Sequence, residues 1–257
     1  MFTLVLLGFF AFLAGFVDSI AGGGGLIQLP ALLYLRADLP IASILGTNKS
    51  VSIFGTSIAT LQYGRKVSVP WKTLWPGCVA AFAGSFVGAR LVSGLDSNWV
   101  RPFVALMLIV VGLYTVFRRD LGEQHAPRFG ENGQRWAALL VGAAIGFYDG
   151  IFGPGTGTFL MFAFIGWLGF SFLVASGAAK AYNLASNLAA VLAFGWSGHI
   201  VWQVTLPMAL CNIAGAFIGS RLAIRRGSQF VRRLFLLAVL AVIVKLVWDW
   251  SVVLAGK

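Results

Sequence analysis

Long apolar stretches alternate with short polar connections along the whole chain. Uninterrupted runs cover about 41–62, 68–94, 100–117, 172–196, 200–223 and 231–254. Each is close to the roughly 20 residues a helix needs to cross the hydrocarbon core of a bilayer, so each predicts a spanning helix. Two further runs, about 1–35 and about 136–169, are interrupted. The first breaks at Asp-Ser-Ile-Ala-Gly-Gly-Gly-Gly (18–25), between short apolar segments at 1–17 and 26–36. The second breaks at Asp-Gly-Ile-Phe-Gly-Pro-Gly-Thr-Gly (149–157). Glycine runs cost backbone entropy, and Pro154 lacks a donor. Each interruption therefore predicts a broken helix or a re-entrant helical hairpin. Non-helical backbone at membrane depth survives only when it is buried in protein or lines a wet cavity. The expected fold is all-α, a polytopic helical membrane protein. Met1–Val17 has no basic start and no cleavage-site pattern, so it reads as retained rather than as a signal peptide.

The two halves align without a gap at an offset of 131 residues. Gly15-Phe16-Val17-Asp18 answers Gly146-Phe147-Tyr148-Asp149, and Gly22 and Gly24 answer Gly153 and Gly155. Gly46 and Lys49 answer Gly177 and Lys180, Pro76 answers Pro207, and Arg90 and Arg101 answer Arg221 and Arg232. Chance can align glycines in a glycine-rich chain, but not Asp, Lys, Arg and Pro in one register. The chain thus divides into a four-element repeat over 1–120, a polar connecting loop over 121–134 and a second repeat over 135–257. Interrupted segments at corresponding positions of two halves are the best sequence pointer to a transporter's binding site.

Composition sharpens the class. Of 257 residues 59% are hydrophobic and only 11% charged, where a soluble domain carries roughly a quarter charged. Trp71, Trp75, Trp99, Trp136 and Trp248 fall near predicted span ends, as an interfacial belt does. The net charge of +11 sits mostly in short connections, which is the pattern of positive-inside loops and not of nucleic-acid binding. Placing 64–72, 118–135 and 221–233 inside and 197–200 outside requires each interrupted element to leave on the side it entered. The halves then become inverted repeats with both chain ends outside. Arg90 and Arg101, which fall outside, count against this, and eight full spans in parallel repeats is the alternative. Cys78 and Cys211 lie in apolar spans without metal-ligand spacing or a disulfide framework.

Four charges lie deep in apolar sequence at matched positions: Asp18, Asp149, Lys49 and Lys180. Charge at mid-membrane is costly and marks function by default. The structural alternative is an Asp–Lys pair within each half that pins the interrupted element. Lys49, Ser52 and Thr56 share one helix face, as do Lys180, Asn183 and Asn187. Thr47 and Asn48 add polar groups beside Lys49. These stripes are either interhelical glue or the lining of a cavity beside the breaks. Helices starting near Gly24-Gly25 and Gly155-Thr156 would aim free N–H groups and a positive dipole end at the gap. Two lysines and two helix starts suit an anion. Gly84-x-x-x-Gly88 and Gly215-x-x-x-Gly219 suit close helix crossings, and Lys245 and Asp249 are spaced to pair on the last helix. No nucleotide-binding, catalytic or metal-ligand constellation is present, so neither an enzyme nor a cofactor is expected.

The stretch Gly15-Phe-Val-Asp-Ser-Ile-Ala-Gly-Gly-Gly-Gly25, the triplet Thr47-Asn48-Lys49 and Gly146-Phe-Tyr-Asp-Gly-Ile-Phe-Gly-Pro-Gly155 closely resemble the sulfite exporter TauE/SafE family. The resemblance covers essentially the whole chain. It implies a multi-pass permease of the bacterial inner membrane for sulfite, sulfonates such as sulfoacetate, or related small organic anions. The expected function is secondary transport by alternating access, with proton coupling as one option. Lys49, Lys180, Thr47, Asn48, Ser52, Asn183, Asn187, Gly24, Gly25, Gly155 and Thr156 would hold the anion. Asp18 and Asp149 would fix the broken elements or carry protons. The expected partners are the bilayer and a small anion, with a homodimer left open. A passive anion channel and a non-transporting subunit of a larger assembly are the rival readings.

Overall fold

The computed structural model describes residues 2–93 and 126–255, with only the backbone of 235, 236 and 238–255. Its helices are α1 (Phe2–Ala21), α2 (Gly25–Leu35), α3 (Ile41–Lys66), α4 (Trp71–Ser93), α5 (Glu131–Ile151), α6 (Thr156–Gly166), α7 (Phe172–Trp196) and α8 (Trp202–Ala255). No strand occurs among the described residues. The expected span over 100–117, the start of the connecting loop, Trp99 and Arg101 lie outside the described residues, as do the side chains of the expected Lys245–Asp249 pair. Among the described residues, three segments are long and apolar enough to cross a membrane: Phe2–Ala21, Trp71–Ser93 and Trp202–Leu234. Trp71, Trp75 and Trp136 are exposed near the starts of α4 and α5.

Helix direction follows from which residues meet. Gly46 of α3 approaches Phe194 of α7 and His199 just beyond it. Further along, Asn187 donates to Thr56 (3.3 Å), and Ser176 meets Tyr63. Hence α3 and α7 run antiparallel. Helix α1 runs parallel to the first part of α8, with Gly8 against Cys211, Gly15 against Asn212 and Gly219 against Phe16. Helix α4 runs parallel to α5 in the same way, with Gly77 against Ala138, Gly146 against Ala81 and Gly88 against Phe147. Each half therefore packs its first helix on the last described helix of the other half. Both Gly-x-x-x-Gly pairs are consumed in these internal crossings.

Helices α1 and α2 form a hairpin. Gly24 meets Ala14 and Asp18, and Gln28 lies level with the Ala11 carbonyl, both held by Asn212 (3.1 and 3.0 Å). Helix α2 thus returns toward the end where α1 began. Helix α6 turns back along α5 likewise: the Tyr148 hydroxyl donates to the Pro154 carbonyl (2.7 Å) and its ring meets Phe159 edge-on. The two hairpin tips meet each other. Gly22, at φ 76°, lies backbone to backbone against Gly157, and Gly25 lies against Pro154. Any side chain at Gly22 would collide with that opposing backbone.

Two expectations about boundaries change. The breaks are shorter than the motifs: α1 runs through Asp18 to Ala21, and α5 runs through Asp149 to Ile151. Nothing before Gly22 or Phe152 forces the backbone out of the helix, so both aspartates sit on the last turns of helices. The basic connection over 221–233 is helical, not a loop, and only Gly227 (φ 72°, ψ −169°) turns the chain there.

A helix that ends inside the molecule leaves carbonyls without partners. Near the end of α1, Tyr63 donates to the Ser19 carbonyl (3.0 Å) and Ser176 to the Ile20 carbonyl (2.9 Å). Removing both donors, by Tyr63→Phe with Ser176→Ala, strands two buried acceptors at about 1–3 kcal/mol each. A clear fall in thermal midpoint is expected in detergent, and an unchanged midpoint would show that water reaches this helix end.

Candidate functional site

The meeting point of the two tips borders a small polar cavity of ≈ 30 Å³. Helices α3 and α7 flank it with their polar faces. Asn48, Lys49, Ser52 and Thr56 come from α3, and Asn183 and Asn187 from α7. The tips contribute Asp18, Gly24 and Gly25 on one side and Asp149, Gly153, Gly155 and Thr156 on the other.

The charges pair across the halves. Lys49 of the first half binds Asp149 of the second, and Lys180 of the second binds Asp18 of the first (2.9 Å). This corrects the expected pairing within each half. Its cause is the tip-to-tip contact, which carries each aspartate to the opposite half's lysine. Lys49 and Lys180 are 3% and 0% exposed and Asp149 is 2% exposed, whereas the Asp18 side chain keeps 23%. Buried charges of this kind persist only when paired.

The two aspartates are held differently. Asp18 accepts the Gly24 N–H on Oδ1 (3.2 Å) and Lys180 on Oδ2. One carboxylate therefore already caps the start of α2. Asp149 accepts Lys49 and the Thr156 hydroxyl (2.6 Å), both on Oδ1, and its Oδ2 has no partner among the described residues. Helix α6 starts after Gly155 at φ 79°, and no side chain caps it. Lys49 also donates to Asn187 Oδ1 (3.3 Å), which fixes the amide so that its nitrogen faces Thr56.

Most of the residues singled out from sequence line this cavity, with two exceptions. Thr47 is fully buried away from it and accepts the Val201 N–H (3.1 Å). It stands two residues before Lys49, about 200° around a helix, and so faces the other way. Lys180 lies behind Asp18 rather than on the cavity wall. Two polar lining side chains do not stand out in the sequence, Gln28 and Asn212. Gln28 donates to Asn48 Oδ1 (2.8 Å) and accepts from Asn212 (3.1 Å). Their counterparts at the 131-residue offset are Phe159 and Ala81, so a search for matched polar positions passes over them. A lone amide inside each apolar run was the available signal.

The whole chain also matches known proteins. The model of the family described as "Sulfite exporter TauE/SafE" matches residues 7–246. The chain belongs to the sulfite exporter TauE/SafE family. It is 37% identical over 244 residues to the "Probable membrane transporter protein ORF9" of a Sinorhizobium species, covering 93% of this chain and 90% of that protein. It is 35% identical to the "Probable membrane transporter protein" of Haemophilus influenzae, with 93% and 92% covered. It is likewise 35% identical to the "Probable membrane transporter protein YfcA" of Escherichia coli K12, with 97% and 92% covered. No solved structure matches the chain. Family membership, these relatives and the apolar helices make this TauE/SafE protein a membrane transporter.

In this TauE/SafE chain Gly153, at φ 85°, lies beside the end of the Lys49 side chain. A Cβ there would occupy the space of the lysine's end. Gly153→Ala is expected to displace Lys49 from Asp149 and to raise the half-saturating concentration for transport while the protein still inserts. The left-handed backbone adds about 1–2 kcal/mol of strain. A flux assay with unchanged saturation would show that Lys49 placement does not matter.

Proposed function

We propose that the chain moves a small anion, a sulfite, sulfonate or related organic anion, across the bacterial inner membrane by alternating access. The anion binds where the two hairpin tips meet. The observation that carries this reading is a buried lysine, Lys49, on the wall of a polar cavity beside the start of α6, with a second buried lysine, Lys180, directly behind Asp18. Positive groups already paid for in folding can exchange a carboxylate for a substrate anion. Lys49 is the direct contact, with Asn183, Asn187, Asn48 and Ser52 placed to orient an oxyanion. Lys180 acts at one remove, by holding Asp18 and with it the first tip.

The cavity of ≈ 30 Å³ is small beside the several hundred Å³ of a typical ligand pocket. In this reading the tips part as an anion enters, and that opening is the motion of alternating access. An inverted repeat is supported by the antiparallel run of α3 and α7, which occupy equivalent places in the two halves. It is also supported by matched contacts, such as Gly15 on Asn212 and Gly146 on Ala81. Arg65, Lys66, Arg221 and Arg225 gather at one end of the helices. The positive-inside rule puts that end in the cytoplasm.

The test is thermal stabilisation of purified protein by sulfite, thiosulfate, sulfoacetate, methanesulfonate, taurine and simple carboxylates. A ligand that binds only the folded state raises the melting temperature by mass action. A shift with a sulfur oxyanion or sulfonate that is lost in Lys49→Met is expected. A shift with carboxylates alone moves the substrate class. Flux in liposomes that never saturates and cannot be driven uphill would replace the carrier with a channel.

A further inference from the structure

Among the cavity-lining side chains, one buried charged atom has no partner. Asp149 Oδ2 is buried and has no hydrogen-bond partner among the described residues, although its sister Oδ1 accepts two. The equivalent aspartate has no such vacancy in its bonding: Asp18 engages both oxygens, one on the Gly24 amide and one on Lys180. The two ion pairs are therefore not interchangeable.

With both pairs formed, the site carries two lysines against two carboxylates and is neutral. An anion that binds Lys49 adds a negative charge in a buried place, where uncompensated charge is strongly disfavoured. We infer that Asp149, and not Asp18, takes up one proton on Oδ2 whenever an anion binds. This rests on the anion-carrier reading above and names its coupling step. The Asp149 carboxylate gains H⁺ and becomes a carboxylic acid. Lys49 keeps its ammonium protons and changes partner, from that carboxylate to the anion. The site is neutral before and after, so one proton travels with each monovalent anion. Protonating Asp18 would not serve, because the lysine it would free lies behind it and not on the cavity wall.

The groups around Asp149 leave it as the proton acceptor. Lys49 from α3 is its direct partner, Asp18 from α1 lines the same cavity, and Lys180 from α7 is bound to Asp18. Helix α6 offers the Thr156 hydroxyl, and α2 and α8 reach the cavity with the uncharged Gln28 and Asn212. Against this stretch of α5, helix α4 presents Ser85 and Gly88, neither of them titratable. Tyr148, on α5 itself, is tied to the Pro154 carbonyl.

The experiment is calorimetric titration of the purified full-length protein with methanesulfonate, which does not titrate near neutral pH. It is run in two buffers of different ionisation enthalpy. Wild-type protein is expected to take up about one proton per anion bound, with affinity falling about tenfold per pH unit wherever that uptake is complete. Asp149→Asn, which imitates the protonated side chain, is expected to bind with no uptake and no pH dependence. Thr156→Val removes a donor to the carboxylate, so uptake should persist with its pH range moved upward. It keeps the test alive if the asparagine variant fails to fold. A merely structural Asp149 would leave the proton count unchanged. Anion binding with no proton uptake in wild type, or uptake that survives in Asp149→Asn, overturns the inference. If none of the panel anions binds the wild type, the carrier reading itself fails and this step with it.

Discussion

Lys49→Met is expected to abolish anion flux into proteoliposomes while the protein still inserts and elutes as a folded species. Lys49 is the cationic side chain on the cavity wall. Truncating one partner of a buried charge pair costs about 2–5 kcal/mol of binding, which at substrate concentrations below saturation lowers flux by about thirtyfold to several-thousandfold. The fold has a way to absorb the change. Methionine fills the space of the lysine stem, and the stranded Asp149 keeps its Thr156 donor and can take a proton on Oδ2. An arginine at 49 should not rescue, because the end of Lys49 is held between Gly153 and Asp149 and a longer planar guanidinium does not substitute for a compact ammonium there. Full flux in Lys49→Met would sink the anion site and leave the fold untouched.

How much of this was legible in the chain depends on the kind of signal. Asp18, Lys49, Asp149 and Lys180 stood out because charge is rare in apolar runs, and all four lie in or directly behind the cavity. The hairpins were legible from glycine and proline, although their helices run on to Ala21 and Ile151 because nothing earlier breaks them. The partner of each lysine was not legible. An internal offset relates Lys49 to Lys180 and Asp18 to Asp149, but it does not say which aspartate meets which lysine. The contact of Gly22 with Gly157 decides that, and it is tertiary. Gln28 and Asn212 escaped because each is a solitary amide without a counterpart in the other half. Thr47 adjoins Lys49 in sequence, but its helical angle turns it away from the cavity toward Val201.

The second large effect is on stability. Asp18→Asn is expected to destabilise the protein by about 3–5 kcal/mol, the cost of leaving a buried charge without its partner. Lys180 is fully buried, and Asp18 is its only charged partner among the described residues. The loss should appear as a drop of many degrees in thermal midpoint, larger than for Asp149→Asn, because Lys49 retains Asn187. The double variant Asp18→Asn with Lys180→Met should recover most of that stability, since it removes both charges and keeps the Gly24 amide beside a side-chain oxygen. Buried pairs replaced together by well-fitting uncharged groups are often neutral or better. A cycle of the two single variants and the double one isolates the coupling. If the double variant is as unstable as Asp18→Asn alone, the aspartate acts mainly by capping α2 through the Gly24 N–H. If it recovers, the pair is a removable latch on the first hairpin, and its flux then tells whether that latch is also part of the transport cycle. Recovered stability with lost flux would assign Lys180 a role in motion, and recovery of both would leave it to folding alone.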